Sequence, residues 1–333
     1  MSTSPILAPD AAAQPAEGGA RSAMRVLSRY GIVLALLVMC VVMSFLSPYF
    51  LTVGNLSNVM LQISINGILA VGMTFVILAA GVDLSVGSVL AFAGMVAAGL
   101  VAGAAPHGVG WGILAGLLAG AACGAVNGLV VAGFRLPSFV VTLGMLSAAR
   151  GAVQIWNDGM PIPGLSDSFL FIGQGRVFGV PMPVWLFLAV FAIGWLVLRY
   201  SRFGRHVYAV GGNEKSAKTS GIATRKVQFA VYTICGLCAG LAGVVLTART
   251  TSALTQSGIG YELDAIAAVV IGGTSLSGGV GGLTGTLFGA LIIGVINNGL
   301  DLLGVSSYYQ QVIKGVVIVA AVLLDSASRK DSQ

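Results

Sequence analysis

Long apolar runs separated by short polar stretches make up most of the chain beyond residue 30. Each run except the eighth is close to the ~20 residues that a helix needs to cross a bilayer. The ten runs cover residues 30–47, 56–80, 86–104, 109–133, 137–156, 182–200, 227–248, 264–277, 283–303 and 308–325. This pattern predicts an all-α polytopic membrane protein with about ten transmembrane helices.

Glycine and polar residues interrupt the apolar pattern at two places, which predicts broken or re-entrant helices. Gly81, Asp83, Ser85 and Gly87 form the first interruption, and the second is the glycine- and serine-rich stretch 272–279. Lipid cannot hydrogen-bond the backbone groups that a break frees, so both breaks should face protein or a water-filled path. Such breaks are typical of transport sites. Asp83 then either caps the following helix or contacts the transported solute.

Composition and charge support the membrane interpretation. The chain is 56% hydrophobic and 8% charged, whereas soluble domains carry roughly 25% charged residues. Basic residues precede the first run, fill the loop 201–226 and close the chain, so the positive-inside rule predicts cytoplasmic termini. We expect a disordered cytoplasmic tail at 1–24, a transmembrane domain at 25–326 and a second cytoplasmic tail at 327–333. The net charge of +6 therefore indicates topology and not nucleic-acid binding.

Glycines recur at helical spacing in two of the runs. Small residues at every fourth position let membrane helices approach each other closely, so these glycines predict helix packing. They are Gly116, Gly120, Gly124 and Gly128 in the fourth run, and Gly281, Gly285 and Gly289 at the ninth.

Amide and hydroxyl side chains inside the apolar runs are candidates for a translocation path. They present donors and acceptors to a hydroxylated solute, or alternatively they form hydrogen bonds between helices worth about 0.6–2 kcal/mol each. The candidates are Gln62, Asn66, Thr74, Asn127, Asn297 and Asn298. Two cations also lie within runs. Arg150 should pair with a carboxylate or with carbonyls at a helix end, and Lys314 should extend to the membrane edge.

Two polar segments between runs are candidates for contact with partners. In the basic loop 201–226, an asparagine, helix-forming residues and a glycine predict a short helix between Asn213 and Gly221, with a solvated loop as the alternative. On the opposite side, Arg249, Glu262 and Asp264 are suited to docking a partner, although Asp264 could instead cap the next helix.

Nothing in the sequence indicates catalysis. It contains no GxxxxGK[ST] phosphate loop and no HExxH motif, and two histidines make no plausible Ser/His/Asp set. The four cysteines lie in apolar runs. We interpret them as small packing residues and not as metal ligands or redox groups. We therefore expect no catalytic residue, metal or cofactor on this chain.

Four long motifs carry a family resemblance over nearly all of the chain beyond residue 30. They are VGMTFVILAAGVDLSVGSVLA (71–91), NGLVVAGFRLPSFVVTLGMLSAARG (127–151), GRHVYAVGGNEKSAKTSGI (204–222) and GYELDAIAAVVIGGTSLSGGVGG (260–282). In this order they resemble permeases of ribose-type monosaccharide ABC importers. The resemblance implies an ABC importer permease fold in the bacterial inner membrane, with lipid around it and a second permease copy beside it.

The resemblance also implies partner chains and a site for one of them. A separate cytoplasmic ATPase would bind ATP and Mg²⁺, and a periplasmic sugar-binding protein would deliver substrate for alternating access. The loop matching 204–222 resembles the coupling helix that fits a groove on the ATPase. That role falls on Gly212, Asn213, Glu214, Ala217, Ser220 and Gly221.

Other transporters remain as alternatives. A permease for branched-chain amino acids or nucleosides resembles this family at lower similarity. An ion-coupled carrier or channel would favour a carboxylate deep within a span. The acidic residues at Asp83, Asp264, Asp301 and Asp325 are instead near predicted ends of spans, which argues against ion coupling.

Overall fold

The computed structural model describes residues 19–103 and 108–330, and most of these residues are helical. The helices are α1 (Gly19–Leu46), α2 (Val53–Leu78), α3 (Val86–Val101), α4 (Val109–Phe134), α5 (Ser138–Trp156), α6 (Asp167–Gln174), α7 (Met182–Tyr200), α8 (Arg202–Gly212), α9 (Glu214–Thr219), α10 (Thr224–Arg249), α11 (Tyr261–Ile271), α12 (Leu283–Leu302) and α13 (Ser307–Lys330). A polytopic helical fold is therefore confirmed.

Each of the ten apolar runs falls on a helix, but not every helix is long enough to cross a membrane. In the described part of the chain, six helices have the required length and hydropathy, namely α2, α4, α5, α7, α10 and α12. The apolar part of α1 and the whole of α3 are shorter. Helix α11 has 11 residues, about 17 Å at 1.5 Å per residue, against the ~30 Å of a bilayer core. The number of spans, about ten, stays a prediction.

Helix α2 lies at the centre of the molecule. Of the most apolar stretch of 18 residues in α2, 89% is buried, whereas only 17% of the corresponding stretch of α5 is buried. Helices α7, α10, α11 and α12 pack around α2, and α10 also packs along α3 and α4. Helix α13 packs against α11. The polar side chains of α2 therefore face protein, while α4 and α5 have surfaces left for lipid or for a partner.

Six of the seven glycines at helical spacing pack helices together as predicted, whereas Gly281 lies before α12 with a φ of 123° and contacts Thr274. A Cβ built on Gly120 would lie 2.6 Å from Cα of Gly240, and one built on Gly124 would lie 2.9 Å from Cα of Gly236. These distances bring the backbones of α4 and α10 into contact. On α12, Gly285 likewise contacts the backbone of Gly272 at the end of α11.

The region 157–181 contains a helix that no apolar run predicted and a pair of strands that the all-α prediction did not include. Helix α6 is followed by a short antiparallel pair of strands, β1 (Arg176–Val177) and β2 (Val180–Pro181). The turn between them has positive φ at Phe178 and at Gly179, which matches the twist of a tight hairpin. Strands of two residues leave too little alternation to be recognised from sequence.

The predicted tails overlap the terminal helices. Residues 1–18 and 331–333 lie outside the described residues, but α1 already begins at Gly19 and α13 continues to Lys330. The last part of the predicted tail 1–24 and the first part of the tail 327–333 are thus helical. They continue the hydrogen-bonded ladders of the adjoining helices, while the division into two cytoplasmic tails and a transmembrane domain stays a prediction.

Candidate translocation and coupling sites

A buried carboxylate on α11 gathers polar side chains from three other helices. Oδ2 of Asp264 accepts from Nζ of Lys314 at 3.0 Å, from Nδ2 of Asn297 at 3.0 Å and from Nδ2 of Asn66 at 3.5 Å. Asp264 is 2% exposed, and the side chain of Lys314 is 21% exposed. Three donors, one of them charged, offset the cost of burying this carboxylate. We call these four residues the Asp264 cluster, and we include Gln62 because it lies one helical turn before Asn66 on α2.

The Asp264 cluster holds oxygen acceptors that are not used within the described part of the chain. A carboxylate only accepts hydrogen bonds, so both neighbouring amides turn their NH₂ groups to it and their oxygens away. Oδ1 of Asn66, Asn297 and Asp264 and Oε1 of Gln62 are buried without a donor from the described residues. Buried acceptors of this kind can receive hydrogen bonds from hydroxyl groups. The cluster is therefore chemically suited to a polyhydroxylated solute.

The other three path candidates lie elsewhere and each has a partner in the protein, although Oδ1 of Asn127 is also buried without a donor from the described residues. Asn298 forms a reciprocal amide pair with Asn55, at 2.8 and 2.9 Å. Oγ1 of Thr74 lies 2.9 Å from Oγ1 of Thr286, and Nδ2 of Asn127 donates to Oγ of Ser85 at 3.0 Å. These contacts are the interhelical hydrogen bonds that the sequence left as the alternative.

The first break separates α2 from α3, and the protein supplies its hydrogen-bond partners. Oδ1 of Asp83 accepts from the backbone N–H of Ser85 at 2.9 Å and from its hydroxyl at 2.6 Å. Two hydroxyls of α5 accept further backbone N–H groups: Oγ of Ser138 from Val82 and Oγ1 of Thr142 from Leu84, both at 3.1 Å. The break therefore faces protein, and the Asp83 carboxylate stabilises the turn just before α3.

Two of the glycines at this break allow close approach. Gly81 contacts the side chain of Tyr232, and Gly87, in the first turn of α3, contacts the carbonyl of Gly258. A side chain at either position would push these elements apart.

The second break, residues 272–282, lies directly against the first. The backbone N–H of Gly279 donates to the carbonyl of Leu78, the last residue of α2, at 3.0 Å. Gly278 has a φ of 84°, and a Cβ there would lie 2.8 Å from Ala80. A left-handed conformation in such close contact requires glycine. The two breaks thus form one backbone-to-backbone junction, which we call the break junction (residues 78–85 and 272–282).

Helix α8 is attached to the break junction. Gly211 packs against the carbonyl of Leu78 and the backbone of Gly279, and the phenol of Tyr208 donates to the carbonyl of Gly281 at 3.0 Å. Burial raises the pKa of Tyr208 above its usual range, so the phenol stays protonated and able to donate at neutral pH. A displacement of α8 would therefore reach both breaks directly.

The predicted short helix in the basic loop is confirmed as α9. Asn213 is its N-cap, and Oδ1 of Asn213 accepts from the N–H of Ser216 at 2.9 Å. At the other end Gly221 has a φ of 83°, and the N–H of Ile222 donates to the carbonyl of Ala217 at 3.1 Å. Both ends are thus held by capping contacts.

Helix α9 presents a polar surface. Gly212, Asn213, Glu214, Ser220 and Gly221 are exposed, whereas Ala217 is 5% exposed and packs inward. The six coupling candidates therefore form one capped unit between α8 and α10.

The three docking candidates divide into two groups. Arg249 and Glu262 are partly exposed, at the end of α10 and in the first turn of α11. Asp264 is buried in the Asp264 cluster, and its carboxylate makes no capping contact to α11. Capping is therefore not its role, and Arg249 and Glu262 remain the accessible pair.

The two cations within apolar runs both have partners in the protein. The sequence indicated the kind of partner for Arg150 but not for Lys314. Arg150 donates to the carbonyls of Thr255 and Ser257 at 2.8 and 2.9 Å. Carbonyl partners were predicted, but these two lie in the loop between α10 and α11 and not at a helix end. Lys314, expected to extend to the membrane edge, instead pairs with Asp264. The missed signal is the cost of an unpaired charge within a span, which requires a buried partner for Lys314.

Comparison with known proteins identifies the family. A family profile described as "Branched-chain amino acid transport system / permease component" matches residues 55–322. The chain belongs to this permease family. Its members are transport components, so the permease is not an enzyme.

Curated relatives are similar to the permease over most of their length. It is 51% identical over 305 residues to the ribose import permease protein RbsC of Escherichia coli K12, covering 88% of this chain and 92% of the relative. It is 48% identical over 303 residues to RbsC of Bacillus subtilis 168, covering 90% and 93%. It is 43% identical over 299 residues to the D-allose transport system permease protein AlsC of E. coli K12, covering 89% and 91%. No solved structure shows significant similarity to the chain.

Proposed function

We propose that this permease imports ribose or a closely related monosaccharide by alternating access, driven by ATP hydrolysis on a separate subunit. The observation that carries the proposal is the high identity to ribose import permeases over most of both chains. The family description names branched-chain amino acids, but the curated relatives reported above act on sugars. A sugar is therefore the favoured substrate class.

The proposal includes the other subunits that an ABC importer needs. A cytoplasmic ATPase binds ATP and Mg²⁺, a periplasmic binding protein delivers the sugar, and a second copy of the permease completes the transmembrane unit in the bacterial inner membrane. Both termini are cytoplasmic, as the distribution of basic residues favours. The partly exposed Arg249 and Glu262 then lie on the periplasmic side, available to the binding protein.

Force enters through α9 in this proposal. The helix is short, capped at both ends and exposed on one face, so a subunit that binds it moves it as a unit. Its neighbour α8 contacts the break junction through Gly211 and Tyr208. Movement of the ATPase would therefore shift both helix breaks together and open or close the path between them.

The Asp264 cluster is proposed to contact the sugar in transit. Its unused acceptors suit sugar hydroxyls, while the charged pair and the two amides hold the acceptors in place. The binding protein supplies affinity, so weak contacts in the permease are sufficient and favour release. Thr74 and Asn298, whose polar atoms are paired within the protein, are proposed to fix the helices around the path, and so is Asn127 through its bond to Ser85.

Reconstituted transport tests the proposal. The permease is placed in proteoliposomes with its ATPase and its binding protein, and uptake of radiolabelled ribose, allose, arabinose and leucine is measured with and without ATP. We expect ATP-dependent uptake of ribose above the other sugars and none of leucine. Uptake of leucine in preference to sugars would contradict the substrate class, and uptake without the ATPase would contradict the energy source.

A further inference from the structure

A cavity lies between the end of α4, the short helix α9 and the start of α10. Its volume is about 780 Å³. The lining residues are Val131, Ala132, Arg135, Leu136, Glu214, Lys215, Lys218, Ile222, Ala223, Thr224, Arg225, Lys226 and Gln228. It is separate from the Asp264 cluster and from the break junction, and we call it the basic cavity.

The charge of the basic cavity is strongly unbalanced. Five cations line it, from α9, from the start of α10 and from Arg135 after α4, against the single carboxylate of Glu214. Among the residues described, the ion pair observed is that of Lys314 and Asp264, so none of these five cations has a carboxylate within 4 Å there. Several like charges around one cavity repel each other, and an anion bound between them would relieve that repulsion.

The surroundings of the cavity indicate an amphiphile. Phe134 is 75% exposed at the end of α4, and Leu136 and Phe139 are 46% and 56% exposed beside it. The most apolar stretches of 18 residues in α4 and α5 are 28% and 17% buried. These helices therefore present an apolar surface next to the cations. Apolar side chains below a cationic cavity match the acyl chains and the phosphate of one lipid molecule.

We propose that the basic cavity binds the headgroup of an anionic phospholipid, whose acyl chains lie along α4 and α5. The phosphate bridges Arg135, the two lysines of α9 and the basic residues at the start of α10. A bound lipid therefore connects α9 to the transmembrane helices on either side of it. This proposal does not depend on the identity of the transported sugar.

Native mass spectrometry of the full-length permease, alone and assembled with its ATPase, tests the proposal. The probes are cardiolipin, phosphatidylglycerol and phosphatidylethanolamine. We expect the two anionic lipids to bind in preference to phosphatidylethanolamine. The double variant Arg135→Gln/Arg225→Gln, which leaves α9 unchanged, should bind them about 25-fold more weakly, at about fivefold per cation removed.

Matched variants separate the cavity from general basicity. Arg199→Gln/Arg202→Gln removes two exposed cations outside the cavity and should retain the lipid, as should the charge-conserving Arg135→Lys/Arg225→Lys. An equal loss in Arg199→Gln/Arg202→Gln would overturn the proposal. Displacement of the lipid on assembly would assign the cavity to the ATPase, and equally strong binding of inorganic phosphate would remove the role of the acyl chains. Either result would overturn the proposal too.

Discussion

At the scale of single residues, the two adjacent asparagines of α12 have different environments. Consecutive residues on a helix are turned by about 100°, so Asn297 faces Asp264 while Asn298 faces Asn55. Asn297 has a buried oxygen with no donor from the described residues, whereas the Asn298 amide is paired on both sides. In the proposed mechanism the first contacts solute, whereas the second holds α12 on α2.

Substitution of these neighbours should therefore affect uptake differently. We expect Asn297→Ala to slow sugar uptake per folded molecule several-fold and also to lower the melting temperature, because the buried Asp264 carboxylate loses one of its three donors. Asn298→Ala leaves the Asn55 amide unpaired, which costs about 1–3 kcal/mol, and should lower the melting temperature while uptake per folded molecule is retained. Uptake in proteoliposomes and thermal melting in detergent measure the two effects. Loss of stability in Asn297→Ala with normal uptake would assign this side chain to packing.

The sequence indicated which side chains need partners more clearly than which partners they find. Arg150 had to meet carbonyls or a carboxylate because an unpaired charge in a span is costly, and it meets two carbonyls. Lys314 could have reached the membrane edge, so its pairing with Asp264 depends on how α13 packs on α11. Spacing along one helix contains no information on that packing.

At the scale of elements, glycine periodicity determines how closely α4 and α10 approach. The four glycines of α4 face α10 or α3, whereas Gly133 near the end of the same helix has open space around it. Such a contact depends on van der Waals packing because lipid gives no hydrophobic drive to associate. The sequence was sufficient to predict this ridge because its four-residue period is a property of one helix.

Alanine substitutions in α4 should distinguish glycines that pack against another helix from glycines that have open space around them. Gly120→Ala inserts a methyl group against the backbone of Gly236 and Gly240, and overpacking of this kind costs about 1–3 kcal/mol. We expect a lower melting temperature in detergent. The control Gly133→Ala meets no atom within 4 Å and should be neutral or slightly stabilising because alanine is the better helix former. Equal melting temperatures for the two variants would contradict the close approach.

Elements without a repeating pattern were missed. Helix α6 and the β1–β2 pair hold few residues, and contacts across the chain position them. Gly173 on α6, for example, packs against the backbone of Arg249 at the end of α10. Short segments bury too little apolar surface to show a period of their own. The ten runs were recognised because lipid imposes one length and one composition on each span.

At the scale of the whole molecule, three regions far apart in sequence meet at one place. The end of α2, the loop 272–282 and the end of α8 contact each other through backbone atoms at Leu78, Gly279 and Gly211. The sequence showed two similar breaks and a separate coupling loop, but it contained no sign that they touch. Backbone contacts transmit displacement with little loss because few flexible side chains intervene.

Two variants should separate binding of the ATPase from transmission of its movement. Gly211→Ala places a methyl group against the carbonyl of Leu78 and the backbone of Gly279. It should keep the ATPase bound and hydrolysing ATP while sugar uptake per ATP falls at least severalfold, because α8 is held away from the breaks. Glu214→Arg changes the exposed face of α9 and should instead weaken association with the ATPase. Copurification, ATP hydrolysis and uptake, measured on the same proteoliposomes, separate the two defects. A normal ratio of uptake to hydrolysis in Gly211→Ala would show that force reaches the path by another route, since this substitution alters the contact between α8 and both breaks at once.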